Sequence, residues 1–220
     1  MANQNIILPR VLPFAVYILF LALSDYLSPL CNSLSIDTKW LYTLRAMSVL
    51  AVLVYFCRDY GELRIKPTVK ELSFAGLAGL FVFFVWIMPY PSWATLGHHV
   101  QISGTNLGQE KFWLSTRLFG AVLIVPLMEE IFWRSFFMRS IDSRNFLNFS
   151  PNKISLFAFM VTASMFALAH HLWLAGLLAG LVYGALFIRY RNLWIPIAAH
   201  TVTNGVLGIL VISTGSWQYW

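Results

Sequence analysis

Three short groups of residues in this chain have the types and spacing to do chemistry. The first is Glu129-Glu130-Ile-Phe-Trp-Arg134, which follows an apolar run from Leu118 to Met128. Glu130 and Arg134 stand four apart, so on a helix they share a face and can pair, with the acid on the favoured N-terminal side. Glu129 then points about 100° away with no cation near it in sequence, and a carboxylate so placed suits a general base. The second group is Phe166-Ala-Leu-Ala-His170, followed by His171, and the third is His200-Thr-Val-Thr-Asn204. Spacing of four again puts both ends of each group on one face. His171 turns about 100° from His170 and reads as a neighbour. A lone membrane histidine is usually an interhelical hydrogen bonder; two such groups with a double Glu suggest a shared polar cavity. Amide hydrolysis needs a base for water and donors for the tetrahedral oxygen. Asn is a permanent donor, and His can donate in either charge state. A metal reading competes: Glu129, His170 and His200 could supply three zinc ligands with water as the fourth. No HExxH occurs, and the ligands would come from separate helices.

These groups must be positioned by apolar elements. Of 220 residues, 59% are hydrophobic and 11% charged, against about 25% charged in soluble domains. Lipid is the natural solvent for that apolar excess. No polar stretch is long enough to form a second domain, so residues 1–220 read as one integral membrane domain, an all-α polytopic bundle of about seven spans. The expected spans are 11–31, 40–57, 72–90, 112–139, two within 154–188, and 193–213. Ile154 to Ile188 lacks Asp, Glu, Lys and Arg across 35 residues. As one helix it would run about 52 Å, too long for one ordinary crossing, so a break is expected near 171–174. Gly176, Gly180 and Gly184 fall on one face and read as a packing stripe.

The +6 net charge does not point to nucleic acid, because the basic residues lie in short runs between apolar segments. Arg58, Arg64, Lys66 and Lys70 follow the second span; Arg139, Arg144 and Lys153 the fourth; Arg189 and Arg191 the sixth. The positive-inside pattern then puts the N-terminus in the cytoplasm and the C-terminus outside. An extra re-entrant segment within 90–111 would upset that count. Cys31 and Cys57 lack metal spacing and read as core residues. Residues 11–30 lack a cleavage pattern and read as a retained first span. Asp25 and Arg45 could pair across helices, though interfacial placement is the simpler reading; Arg117 is expected to snorkel. His98 and His99 read as solvated loop residues among Gly97, Gly104 and Gly108. Asn148-Phe-Ser150 matches a glycosylation sequon but is discounted, since Pro151 follows and the segment is expected in the cytoplasm.

Taken in order, Glu-Glu-x-x-x-Arg at 129–134, Phe-x-x-x-His at 166–170 and His-x-x-x-Asn at 200–204 resemble the signature of the CPBP family. That family includes the type II CAAX prenyl endopeptidases and the bacteriocin-processing or self-immunity proteins also called Abi. The resemblance extends through Gly-Leu-Val-Tyr-Gly at 180–184 and Leu-Trp-Ile-Pro-Ile-Ala-Ala-His at 193–200. It covers about 112–210, within a motif-bearing core at 112–213; residues 1–111 read as generic spans.

The resemblance implies roles. Glu129 would activate water for attack on a peptide carbonyl, His170 would position that water, and His200 and Asn204 would stabilise the oxyanion. Glu130 and Arg134, with Phe166, would support the site. The implied activity is a glutamic intramembrane endopeptidase without a cofactor, acting on a membrane-associated peptide or protein; the compact length of the chain suggests the cell membrane as its location. The resemblance does not name a substrate; prenylated tails, leader peptides and signalling peptides all fit. The alternatives are a non-enzymatic self-immunity or scaffold protein and a proton-coupled carrier, which would use the same residue types but lacks an inverted repeat. Water must reach the motifs, and Pro126, three residues before Glu129, is expected to loosen the helix there.

Overall fold

Backbone that enters lipid has no water to bond with, so apolar runs of this kind fold as helices that satisfy their own N–H and C=O groups. The computed structural model describes residues 6–97 and 111–219, and no strand occurs among them. His98, His99, Gly104, Gly108 and Trp220 lie outside the described residues. Seven helices carry the described fold: α1 Leu8–Ser33, α2 Trp40–Tyr55, α3 Val69–Trp86, α4 Lys111–Asp142, α5 Leu156–Leu168, α6 Trp173–Tyr190 and α7 Trp194–Thr214. Five of them (α1, α3, α4, α6 and α7) are long and apolar enough to cross a membrane; α2 and α5 are shorter apolar helices. The 13 residues of α5 rise only about 20 Å against a core of about 30 Å. The expected split of the long uncharged run falls at residues 169–172, between α5 and α6.

Local signals set the helix ends. Thr68 and Glu71 form a capping box at the start of α3, satisfying two orphan N–H groups reciprocally. Ser155 caps α5 and is itself held by the Asp142 carboxylate at 2.7 Å, which ties the end of α4 to the start of α5. Gly215 closes α7 with φ +69°, a left-handed turn that glycine takes without strain.

Two layers of side-chain contacts mark the two ends of the bundle. At one end Arg10 of α1 bonds the Glu62 carboxylate at 2.6 and 2.9 Å and the Asp59 carbonyl at 3.0 Å. The Ser135 hydroxyl also donates to Glu62. Trp194 reaches the Leu63 carbonyl at 2.8 Å. The basic connections after α2, α4 and α6 therefore share one end. At the other end Trp113 bonds the Lys39 carbonyl and Trp173 the Trp93 carbonyl, while Leu96 N–H bonds the His171 carbonyl.

Small residues let the inner helices approach. A β-carbon on Gly79 would collide with the Ala199 carbonyl and the Val202 side chain, so α3 and α7 meet at backbone distance there. On α6 a β-carbon at Gly180 would fall 3.1 Å from the Cα of Ala163, and one at Gly176 would fall 3.3 Å from the Cβ of His170. The stripe expected for packing thus seats α6 on α5 and sets where His170 stands.

Candidate active site

The helix that carries the paired acids is not uniform. Val125–Glu130 is α-helical, but Gly120–Ile124 before it and Ile131–Phe137 after it are π-wound. Such widened turns often accompany functional sites. The first has a cause in the sequence. Val125 N–H bonds back five residues to the Gly120 carbonyl, and the next such bond would have to come from Pro126, which has no N–H. The Ala121 carbonyl is left over, and the Asn204 side-chain amide donates to it at 2.8 Å. Pro126 and Asn204 are therefore two halves of one arrangement that joins α4 to α7.

Glu129 and Glu130 leave α4 in different directions. Glu130 is fully buried, with Arg134 Nη1 at 3.2 Å from Oε1 and Arg134 Nε at 3.1 Å from Oε2. Its Oε1 also lies 3.0 Å from His200 Nδ1. One carboxylate thus holds both the cation expected from the spacing and a histidine from α7 that the spacing could not reveal. Arg134 extends further to the Gly180 carbonyl at 3.4 Å and lies 4.6 Å from the centre of the Phe166 ring. Phe166 in turn lies 4.6 Å from the His170 ring, so it fills the space between guanidinium and imidazole.

Glu129 instead borders a cavity of about 510 Å³, and its Oε2 is buried without a hydrogen-bond partner among the described residues. The same cavity is lined by Phe166, His170, His200 and Asn204. Side chains from α4, the α5–α6 turn and α7 are brought together, whereas Glu130 and Arg134 stand behind them, out of contact with solvent. His170 Nδ1 lies 2.7 Å from the Phe166 carbonyl. A carbonyl only accepts, so Nδ1 carries the proton and Nε2 of the neutral ring is an acceptor. The volume is in the range of binding clefts and exceeds that of several waters.

Sequence spacing missed the support for His200. The Tyr183 ring stacks on it at 4.9 Å. The Tyr183 hydroxyl donates to Thr203 at 2.7 Å, and Thr203 donates to the Gly79 carbonyl at 2.8 Å. Tyr183 sits in the Gly-Leu-Val-Tyr-Gly stretch and Thr203 beside Asn204, so both were in view; Gly79, on a helix without motif, had no signal. His171, read as a neighbour, bonds the Leu96 carbonyl through Nδ1 and still touches the cavity.

Two arginines stand on aromatic faces. Arg45 lies 4.5 Å from the Tyr17 ring centre and 5.0 Å from that of Tyr42, while Asp25 is exposed. Arg117 lies 4.9 Å from the Tyr42 ring centre and, with Arg45, lines the cavity. The chain ends and turns that border the cavity, Trp86, His171, Leu172, Gln218 and Tyr219, lie away from the basic connections. The cavity therefore reaches toward the end of the bundle opposite those connections. Among the described residues no three His, Cys, Asp or Glu side chains are grouped so as to hold a metal ion.

Residues 111–206 match the family model described as type II CAAX prenyl endopeptidase Rce1-like. That stretch holds every motif residue from Glu129 to Asn204 and is consistent with the CPBP family; α1, α2 and α3 lie outside it. In general terms the match supports an intramembrane endopeptidase, a membrane hydrolase whose substrate is membrane-associated. No curated protein and no solved structure matched the chain.

Proposed function

We propose that this protein hydrolyses a peptide bond of a membrane-associated peptide or protein by the action of Glu129 on water, without a metal. One observation carries the reading: Glu129 has a buried oxygen without a hydrogen-bond partner among the described residues, in the cavity that His170, His200 and Asn204 also line. Water held between Glu129 and the acceptor nitrogen of His170 gives a proton to the Glu129 carboxylate, and its oxygen adds to the peptide carbonyl carbon. The carbonyl oxygen takes the negative charge. His200 and Asn204 donate to it, Asn204 through the amide N–H not spent on Ala121. Glu129 then returns the proton to the amide nitrogen, the C–N bond breaks, and an acid and an amine leave.

Purified protein in phosphatidylcholine vesicles, incubated with a hydrophobic peptide library and read by mass spectrometry, tests this. Cleavage is expected from the native chain and is expected to drop by 10³ or more in Glu129→Gln at unchanged thermal stability, on the scale of losing an essential base. Wild-type cleavage by that variant removes Glu129 as the base. A chelator should leave turnover unchanged; loss that added zinc restores would replace the metal-free mechanism with zinc chemistry. No cleavage of any peptide, with the cellular phenotype intact in the Glu129, His170 and His200 alanine variants, would point to a non-enzymatic scaffold.

The location proposed is the cell membrane, with the basic connections in the cytoplasm. The cavity then faces the outer side.

A further inference from the structure

We propose a second binding site at the opposite end of the bundle: a cleft in which Arg139 and Arg191 take the phosphate of an anionic phospholipid headgroup. The cleft has a volume of about 390 Å³ and lies where the connections after α2, α4 and α6 meet beside Arg10 of α1. It shares no lining residue with the Glu129 cavity, so it stands apart from the proteolytic reading. Three arginines and two acids line it: Arg10, Arg139, Arg191, Asp59 and Glu62. Arg10 engages Glu62 at 2.6 and 2.9 Å. Arg139 is buried and, among the described residues, bonds neutral acceptors: the Ser135 carbonyl and hydroxyl, each at 2.7 Å, and the Leu147 carbonyl at 3.4 Å. Both Arg10 and Arg139 face the Phe146 ring, at 5.8 and 5.7 Å. Arg191 is exposed and closes α6 in the left-handed region, at φ +54°. Neither Arg139 nor Arg191 forms an ion pair among the described residues.

A buried guanidinium without a counter-ion is costly. Carbonyl and hydroxyl partners satisfy the N–H groups of Arg139 but do not neutralise it. With Asp59 counted, three arginines against two acids still leave the cleft one net positive charge. The helix end at Arg191 is a position that glycine usually takes. An arginine there holds backbone strain of the kind kept at ligand clamps, and it adds a guanidinium that glycine would not supply. Guanidinium forks suit a phosphate. A lipid headgroup and free phosphate share that chemistry. The lipid is favoured because Leu147, Phe149, Phe187 and Leu193 give the cleft an apolar wall. A glycerol backbone and the first methylenes of its chains cover such a wall, and a free phosphate leaves it wet. The proposed topology also puts this end at the cytoplasmic leaflet, where anionic lipids gather.

The test titrates the purified full chain in a neutral detergent with phosphatidylglycerol, with diacylglycerol of the same acyl chains, and with inorganic phosphate. Binding is read by the shift in thermal unfolding and by the lipid retained in native mass spectrometry. Phosphatidylglycerol should bind about tenfold more tightly than diacylglycerol. Arg139→Gln and Arg191→Gln should each erase that preference, and Arg191→Lys should restore part of it as a point charge. Should Arg139→Gln fail to fold, the Arg191 variants decide. Arg191→Gly should also lose the preference, yet melt no lower than the native chain in detergent alone, since glycine takes the left-handed turn without strain. Arg189→Gln removes a charge from the last turn of the same helix but outside the cleft, and should leave the preference unchanged. Equal binding of phosphatidylglycerol and diacylglycerol by the native chain overturns the site. So does an Arg189→Gln loss as large as that of Arg191→Gln, which would mean diffuse attraction to a basic end. Inorganic phosphate binding as tightly as phosphatidylglycerol overturns it as a lipid site.

Discussion

Glu129 and Glu130 are adjacent in the chain and opposite in surroundings. Glu130 serves Arg134 and His200 at 3.0–3.2 Å in a site closed to solvent, while Glu129 faces the cavity. Removing one partner of a buried ion pair leaves a stranded charge, at a cost of about 3–5 kcal/mol. Glu130→Gln should therefore lower unfolding stability by about that amount, measured by denaturant titration in detergent. Glu129→Gln should change it by less than about 1 kcal/mol, since no ion pair of Glu129 occurs among the described residues. Equal losses in the two variants would mean that the two carboxylates have not divided their work between structure and cavity.

At the scale of the element, two joints hold the site: the Pro126–Asn204 joint between α4 and α7, and the close approach of α3 to α7 at Gly79. Pro126→Ala supplies an N–H that can take the Ala121 carbonyl, so the Asn204 amide loses its fixed partner. Turnover should fall by about tenfold with stability within about 1 kcal/mol, because a hydrogen bond is exchanged rather than lost. Parallel kinetic and thermal-melt measurements check this. Gly79→Val is expected to act differently. Its side chain would meet backbone of α7, and overpacking of about 1–3 kcal/mol should appear as a lower melting temperature with loss of activity. A stable and active Gly79→Val protein would show that α3 and α7 can separate without disturbing His200.

For the whole molecule, the Arg10–Glu62 pair fastens α1 to the connection before α3 at the end opposite the cavity mouth. Burial alone would raise the Glu62 carboxyl, but the hydrogen bonds and charge of Arg10 and the Ser135 hydroxyl outweigh it and hold Glu62 below its ordinary value of 4.5. A depressed carboxylate contributes stability that is complete above its unfolded-state value and is lost as pH falls through the folded one. Stability should therefore decline below about pH 4.5, and Glu62→Gln should flatten that acid limb while costing about 3 kcal/mol at neutral pH through the stranded Arg10. Unfolding titrations across pH in both proteins measure it. Orientation has its own test. Cys57 is exposed at the basic end, so in a Cys31→Ser chain an impermeant maleimide should label it only after the cells are opened. Labelling of intact cells would reverse the proposed topology.

The sequence by itself determined the helical class, the break in the long uncharged run, the glycine stripe and the identity of the motif residues. Each depends on periodicity or on spacing of three to five residues, which a helix converts into geometry regardless of its neighbours. Even the partner of Arg134 was readable, because Glu130 stands one turn away. Tertiary structure alone decided that His200 docks on Glu130, that Asn204 answers the carbonyl Pro126 leaves free, and that Gly79 supports Thr203. It also decided that Arg45 and Arg117 gather around Tyr42 in the cavity. Those contacts join residues 70 or more positions apart in most cases, and no local spacing encodes which face of one helix meets which face of another. Helix lengths were only partly legible: α2 and α5 are shorter than a full crossing, because hydropathy runs on through turns that the backbone hydrogen bonds do not.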